Sequence, residues 1–111
     1  MATLPRLHLG CGRYYWPGFV NIDADDSGDV QADIRLINGY EASEIHAIHV
    51  IEHLYRYEVL DVLKRWHANL AHGGLLVLER STRIAPEVPD SLTIVREVRS
   101  GDGTLTFMAL A

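Results

Sequence analysis

Gly10, Gly12 and Asp23 are the residues of this sequence whose types and spacing point most directly to chemistry. Leu7-His8-Leu9-Gly10-Cys11-Gly12 reads as a short apolar strand running into a glycine turn, and Phe19-Val20-Asn21-Ile22-Asp23 as a second strand ending in a carboxylate. Glycine reaches φ values closed to other residues and leaves its backbone open to a ligand. A carboxylate at a strand tip can accept two hydrogen bonds from a ribose diol. Together they follow the logic of a nucleotide-cofactor site in an open α/β sheet, where ligands bind outside the carboxyl ends of the strands. Asp25 and Asp26 extend the acidic run, which has a solvated loop as its plainer reading, but Asp23 alone closes an apolar strand. Cys11, between the glycines, is read as a small residue that tolerates close packing and contributes its backbone.

His46, His49, Glu52 and His53 form the second cluster. The spacing His49-x-x-Glu52-His53 matches an inverted zinc-protease pattern. That pattern needs a helix, so that ligands four apart share a face. Here it begins inside a β-branched, apolar stretch that reads as strand, and no metal is expected.

These residues need elements to hold them. Residues 6–9, 19–23 and 30–34 read as three short strands and 45–50 as a fourth, with a loop or one helical turn at 35–43. Residues 57–70 predict a helix: Leu60, Leu63, Trp66, His67 and Leu70 recur at helical spacing, with Asp61, Lys64 and Arg65 opposite. Gly73-Gly74 reads as its stop signal. Residues 75–79 form an unbroken apolar run, as a central parallel strand requires. Residues 92–99 and 104–110 alternate about Gly101-Asp102-Gly103, a hairpin pattern. The order describes an α/β sheet of parallel strands closed by an antiparallel hairpin. Positions 13–18 are too few for a helical crossover, which takes about a dozen residues. One face of the sheet is therefore expected to lack helices, with Tyr14-Tyr15-Trp16 filling the space rather than covering a cofactor. An apolar face without cover predicts a homo-oligomer packed through it.

Composition narrows the classes. The 111 residues are read as a single domain, 1–111, with a globular balance of 48% hydrophobic and 23% charged residues. A net charge of −5 without a basic run argues against nucleic acid as a ligand. No apolar run approaches the about 20 residues of a membrane helix, and the start of the chain lacks the order of a signal peptide. The lone cysteine fits a reducing compartment, so a cytoplasmic protein away from the membrane is expected.

With these residues in view, the chain resembles class I S-adenosylmethionine-dependent methyltransferases, in their small bacterial branch. Besides Leu7–Gly12 and Pro17–Asp23, Ile48-His49-Val50-Ile51-Glu52-His53-Leu54 is similar to the family's fourth-strand signature. Leu70-Ala71-His72-Gly73-Gly74-Leu75-Leu76-Val77 is similar to its turn into strand five, and the hairpin to its reversed seventh strand. The likeness spans residues 4–80 in order. It implies a reduced Rossmann-like methyltransferase sheet of about seven strands with few helices. It implies S-adenosylmethionine as cofactor, with Gly10, Cys11 and Gly12 against its methionine part and Asp23 on the ribose hydroxyls. Asp33 would accept from the adenine amino group, with Ile34 on the ring; a cap at the end of its strand is the plainer reading of Asp33. His49, just past the middle of strand four, would lie near the cofactor on the substrate side and serve as general base where the acceptor must lose a proton.

The sequence departs from the family at His8, where strand one often carries an acid, at His72 in place of a proline, and in a short segment at 80–91 where relatives carry a longer substrate lid. The acceptor is thus expected to be a small molecule. The alternative is a methyltransferase-like binding or assembly module without catalysis. A nicotinamide dehydrogenase fits less well, because position 15 is Tyr where G-x-G-x-x-G needs glycine.

Overall fold

The computed structural model describes residues 3–81 and 87–110. Seven strands form one sheet: β1 (Arg6–Leu9), β2 (Val20–Asp23), β3 (Val30–Gln31), β4 (Ala42–Ile48), β5 (Leu70–Ser81), β6 (Leu92–Ser100) and β7 (Gly103–Leu110). Their spatial order is β3-β2-β1-β4-β5-β7-β6. The first five are parallel, and β7 runs antiparallel between β5 and β6. A single α-helix among the described residues, α1 (Val59–Ala68), connects β4 to β5. None of the described helices is long and apolar enough to cross a membrane. The expected mixed sheet with a closing hairpin and few helices is the observed one.

Several boundaries differ from the sequence reading, each for a local reason. The third strand ends at Gln31, not at 34, because Asp33 caps a 3-10 turn at Ile34–Leu36 by accepting from the Arg35 N–H at 3.0 Å. The fourth runs from Ala42 to Ile48, starting before 45 and stopping short of 50 where His49 takes a positive φ of 55°. The helix ends at Ala68, well before the glycine pair. Asn69 stops it: buried at 1% exposure, it donates to the Arg65 and Ile37 carbonyls and accepts from the Tyr40 N–H. The glycine pair instead lies inside β5, which starts at Leu70. Gly73, at φ 79°, accompanies a register slip between the Ala42–Leu70 and Glu44–Leu75 pairs.

The core lies between the sheet and α1. Val62, Leu63 and Trp66 of the helix cluster with Leu7, Leu9, Ile22, Ile45, Ala47, Leu76, Leu78 and Met108. These strand residues are alternate positions on aligned strands, so one face of the sheet carries them all. Trp66 is wholly buried, and its indole N–H donates to the Ile34 carbonyl at 2.8 Å, tying the helix to the turn after β3.

The opposite face carries His8, Asn21 and His46 in register. Trp16 takes the place of a covering helix there. Its ring stacks on His8 at 3.7 Å and meets His46 and Phe19 edge-on at 5.5 and 5.1 Å. Asn21 pins this short crossover to the sheet. Its side-chain amide donates to the Trp16 and Phe19 carbonyls, and its oxygen accepts from the Trp16 N–H at 2.8 Å. That leaves His8 Nδ1 as donor to the same oxygen at 2.9 Å. Burial pushes the His8 imidazole below its ordinary value, against the opposing effect of the Asn21 bond. Of the three aromatics, only Trp16 fills the gap; Tyr14 and Tyr15 are exposed.

Candidate functional site

The carboxyl ends of β1, β2 and β4, with the turns that leave them, enclose an open cleft of about 910 Å³. That is within the size of small-molecule sites, roughly 300–1,000 Å³. Gly10, Cys11, Gly12, Asp23, Asp33, Ile34 and His49, spread over forty positions of sequence, all line it.

The glycine turn is held by hydrogen bonds to β2 and closes against the exit of β4. Gly10 donates to the Ile22 carbonyl at 2.8 Å. A Cβ on Gly10 would stand 2.7 Å from Val50 Cγ2, so only a bare backbone lets the turn close against β4's exit. Gly12, at φ 51°, faces the other way: a Cβ there would meet nothing within 4 Å. Its N–H donates to Asp23 Oδ2 at 2.8 Å. Asp23 Oδ1 has only a long 3.4 Å contact from the Asp25 N–H. Cys11 is buried, with Ser27 Oγ 3.8 Å from its sulfur, and burial pushes its thiol up, away from the reactive thiolate.

The turn after β3 forms the adjoining wall. Ile34 Cδ1 reaches the glycine turn, 3.6 Å from where a Gly10 Cβ would be. Asp33 lines the cleft, yet both of its oxygens are engaged: Oδ1 accepts from the Arg35 backbone and Nε, Oδ2 from the guanidinium at 2.7 Å. Arg35 accordingly holds the Asp33 carboxyl below the usual range. Arg35 also reaches Glu58 at 3.5 Å, and Glu58 accepts from the Tyr55 N–H. A chain of charge thus links the β3 exit to the start of α1.

His49 stands past the end of β4, not within it. It is the only non-glycine residue with positive φ among those described. Such a backbone costs of order 1–3 kcal/mol and persists where its surroundings enforce it. Glu79 supplies that constraint twice, accepting from the His49 N–H through its carbonyl at 3.2 Å and placing Oε1 3.3 Å from Nε2. The ring is 61% exposed in solvent. Glu52 and His53 fall in a separate 3-10 turn, Ile51–His53, where Glu52 accepts from the Ser81 N–H. Among the described residues, no group of His, Cys, Asp and Glu is arranged to hold a metal ion.

The sequence reading missed Glu79, Arg35, Glu58 and Tyr55. Glu79 was visible only as the polar end of an apolar run. Tyr55, 65% exposed and stacked on Tyr57 at 5.4 Å, occupied a loop with no pattern of its own. The segment read as a lid, 80–91, is described in part: β5 extends to Ser81 and residues 87–91 adjoin Leu60 and Lys64 of α1, while 82–86 lie outside the described residues.

No protein-family pattern matches the chain, and no curated protein matches it in sequence. Solved structures do match in fold. The mitomycin 7-O-methyltransferase MmcR superposes with a TM-score of 0.75 at 13% identity, over 97% of this chain and 49% of that one. The N-methyltransferase NodS from Bradyrhizobium japonicum WM9 gives 0.72 at 17%, over 98% and 86%. Magnesium protoporphyrin IX methyltransferase from Synechocystis PCC 6803, solved with bound S-adenosylmethionine, gives 0.69 at 12%, over 97% and 70%. This chain thus spans about half the length of the first of them and most of the other two.

Proposed function

We propose that this chain, which has the Rossmann-like fold of class I methyltransferases, binds S-adenosylmethionine in the cleft above β1, β2 and β4 and transfers a methyl group to a small acceptor. The observation that carries the reading is the junction of Gly12 and Asp23. A carboxylate at the tip of β2 anchors the glycine turn through one oxygen and keeps the other without a close partner, beside a Gly12 that opens onto empty space. This fits a nucleoside lying across the turn with its ribose at Asp23.

Residue by residue, Gly10–Gly12 would bear the methionine part and Asp23 the ribose hydroxyls. Ile34 would pack on the adenine. Asp33 would offer its amino group an oxygen already shared with Arg35, and the Asp33–Arg35–Glu58 chain would hold that wall rigid. When bound, S-adenosylmethionine supplies a methyl group on a sulfonium, a good leaving group that needs little covalent help. The chain's work is then to align the acceptor and exclude wrong geometries. His49 deals with the acceptor's proton: with Nε2–H directed to Glu79, Nδ1 is the free lone pair and takes a proton from an acceptor hydroxyl.

Calorimetric titration with S-adenosylhomocysteine tests the site, and formation of S-adenosylhomocysteine from S-adenosylmethionine with phenol, amine and thiol acceptors tests the activity. Binding without turnover for any acceptor assigns the chain to the non-catalytic module. No binding removes the nucleotide reading altogether.

A further inference from the structure

The outer strand of the sheet takes no part in the cleft. Among the described residues β6 pairs with β7 alone, and every residue of β6 after Leu92 is exposed. Ile94, Val95 and Val98 are 40%, 56% and 37% exposed. The residues leading into it, Glu87–Ser91, adjoin Leu60 and Lys64 of α1 and so lie on the helix-bearing face, not along the outer edge. An open edge presents a row of backbone donors and acceptors to which another strand can add. Charges along such an edge discourage indiscriminate pairing, so any partner must match them.

Glu97 and Arg99, on either side of Val98, match their own sequence read backwards, with Arg96 then opposite the uncharged Ser100. Glu97 and Arg99 align with the buried Thr106 and Thr104 of β7, so they share one face of the sheet; Val98 aligns with Leu105 on the other. Two antiparallel β6 strands related by a two-fold axis keep like faces together. With the axis at Val98, Glu97 of each copy faces Arg99 of the other, and Val98 faces Val98. Moving the axis to Arg96, Glu97 or Arg99 sets like charges against each other. A one-residue slip sends the side chains to the wrong faces. The register irregularity between Ile94 and Arg96 lies outside the stretch concerned, and Arg96–Ser100 run regularly against β7. Glu97 is also steadied from within its own chain, because Arg80 donates to its Oε2 at 3.1 Å.

We propose that β6 pairs with β6 of a second copy of this chain, antiparallel and centred on Val98, so that two sheets join into one continuous sheet. The occupant is a second copy because the charge pattern is complementary to itself. This pairing is independent of methyl transfer.

Sedimentation of the purified chain in the micromolar range is expected to give twice the chain mass. Arg99→Glu, which sets a carboxylate opposite Glu97 at two places, is expected to raise the dissociation constant at least about tenfold, while Arg99→Lys keeps the dimer. Val98→Cys is expected to form an intermolecular disulfide on mild oxidation or to be trapped by a short bis-maleimide. The parent chain, whose one cysteine is the buried Cys11, is not trapped. Circular dichroism verifies that each variant is folded. A monomer throughout this range overturns the proposal. So does a dimer that ignores Arg99→Glu and that V98C does not trap, since it would use another surface.

Discussion

The Gly12 N–H donates to Asp23 Oδ2 at 2.8 Å, so the end of β2 holds the turn that leaves β1. The pair stands eleven positions apart and closes the floor of the cleft. In the proposed site the same carboxylate serves both turn and ligand, and removing it damages both.

Asp23→Ala is therefore expected to weaken S-adenosylhomocysteine binding at least tenfold. Each hydrogen bond lost from a charged acceptor is worth roughly 1.5–3 kcal/mol, and about 1.4 kcal/mol corresponds to tenfold. Calorimetry on parent and variant decides it. An unchanged affinity would put Asp23 outside the site.

Methyl transfer to a hydroxyl acceptor is expected to fall about 10²–10⁴-fold in His49→Ala, since a positioned general base contributes roughly that much. Glu79→Gln should lower kcat with little change in KM, since Glu79 orients the ring and is absent from the cleft lining. An unchanged kcat in His49→Ala excludes His49 from proton transfer.

His8 predicts a pH dependence of stability. Its folded value is lowered from the ordinary 6.5, mainly by burial. The unfolded chain then binds the proton more readily. Stability is complete above the ordinary value and is lost as pH falls from there toward the folded value. Urea midpoints of the parent should decline across that window, and those of His8→Gln should decline less. Parallel curves for the two proteins would refute the assignment.

Leu63, wholly buried between α1 and the sheet, tests the core. Leu63→Ala is expected to cost about 2–5 kcal/mol in urea unfolding, from lost burial and the cavity left behind. A cost below about 1 kcal/mol would mean that α1 packs far more loosely than this burial requires.

Much of the fold could be read from the sequence because its signals are local. The glycine turn, the carboxylate closing β2, the helical stripe of Leu60, Leu63 and Trp66 and the alternation about Gly101–Gly103 are each contained in one short window. Backbone preference and side-chain periodicity act at that range. Tertiary structure decided the rest. Asn69, not the glycine pair, ends the helix, because its side chain finds carbonyl and amide partners thirty positions upstream. Trp16 lies on His8 because Asn21 draws the crossover down onto the sheet. Glu79 meets His49 only because β4 and β5 are neighbours in register. Arg35 occupies both oxygens of Asp33, the carboxylate that the resemblance would set against an adenine. These are contacts between groups remote along the chain, and a short-range pattern carries no information about which of many possible partners the packed sheet brings within reach.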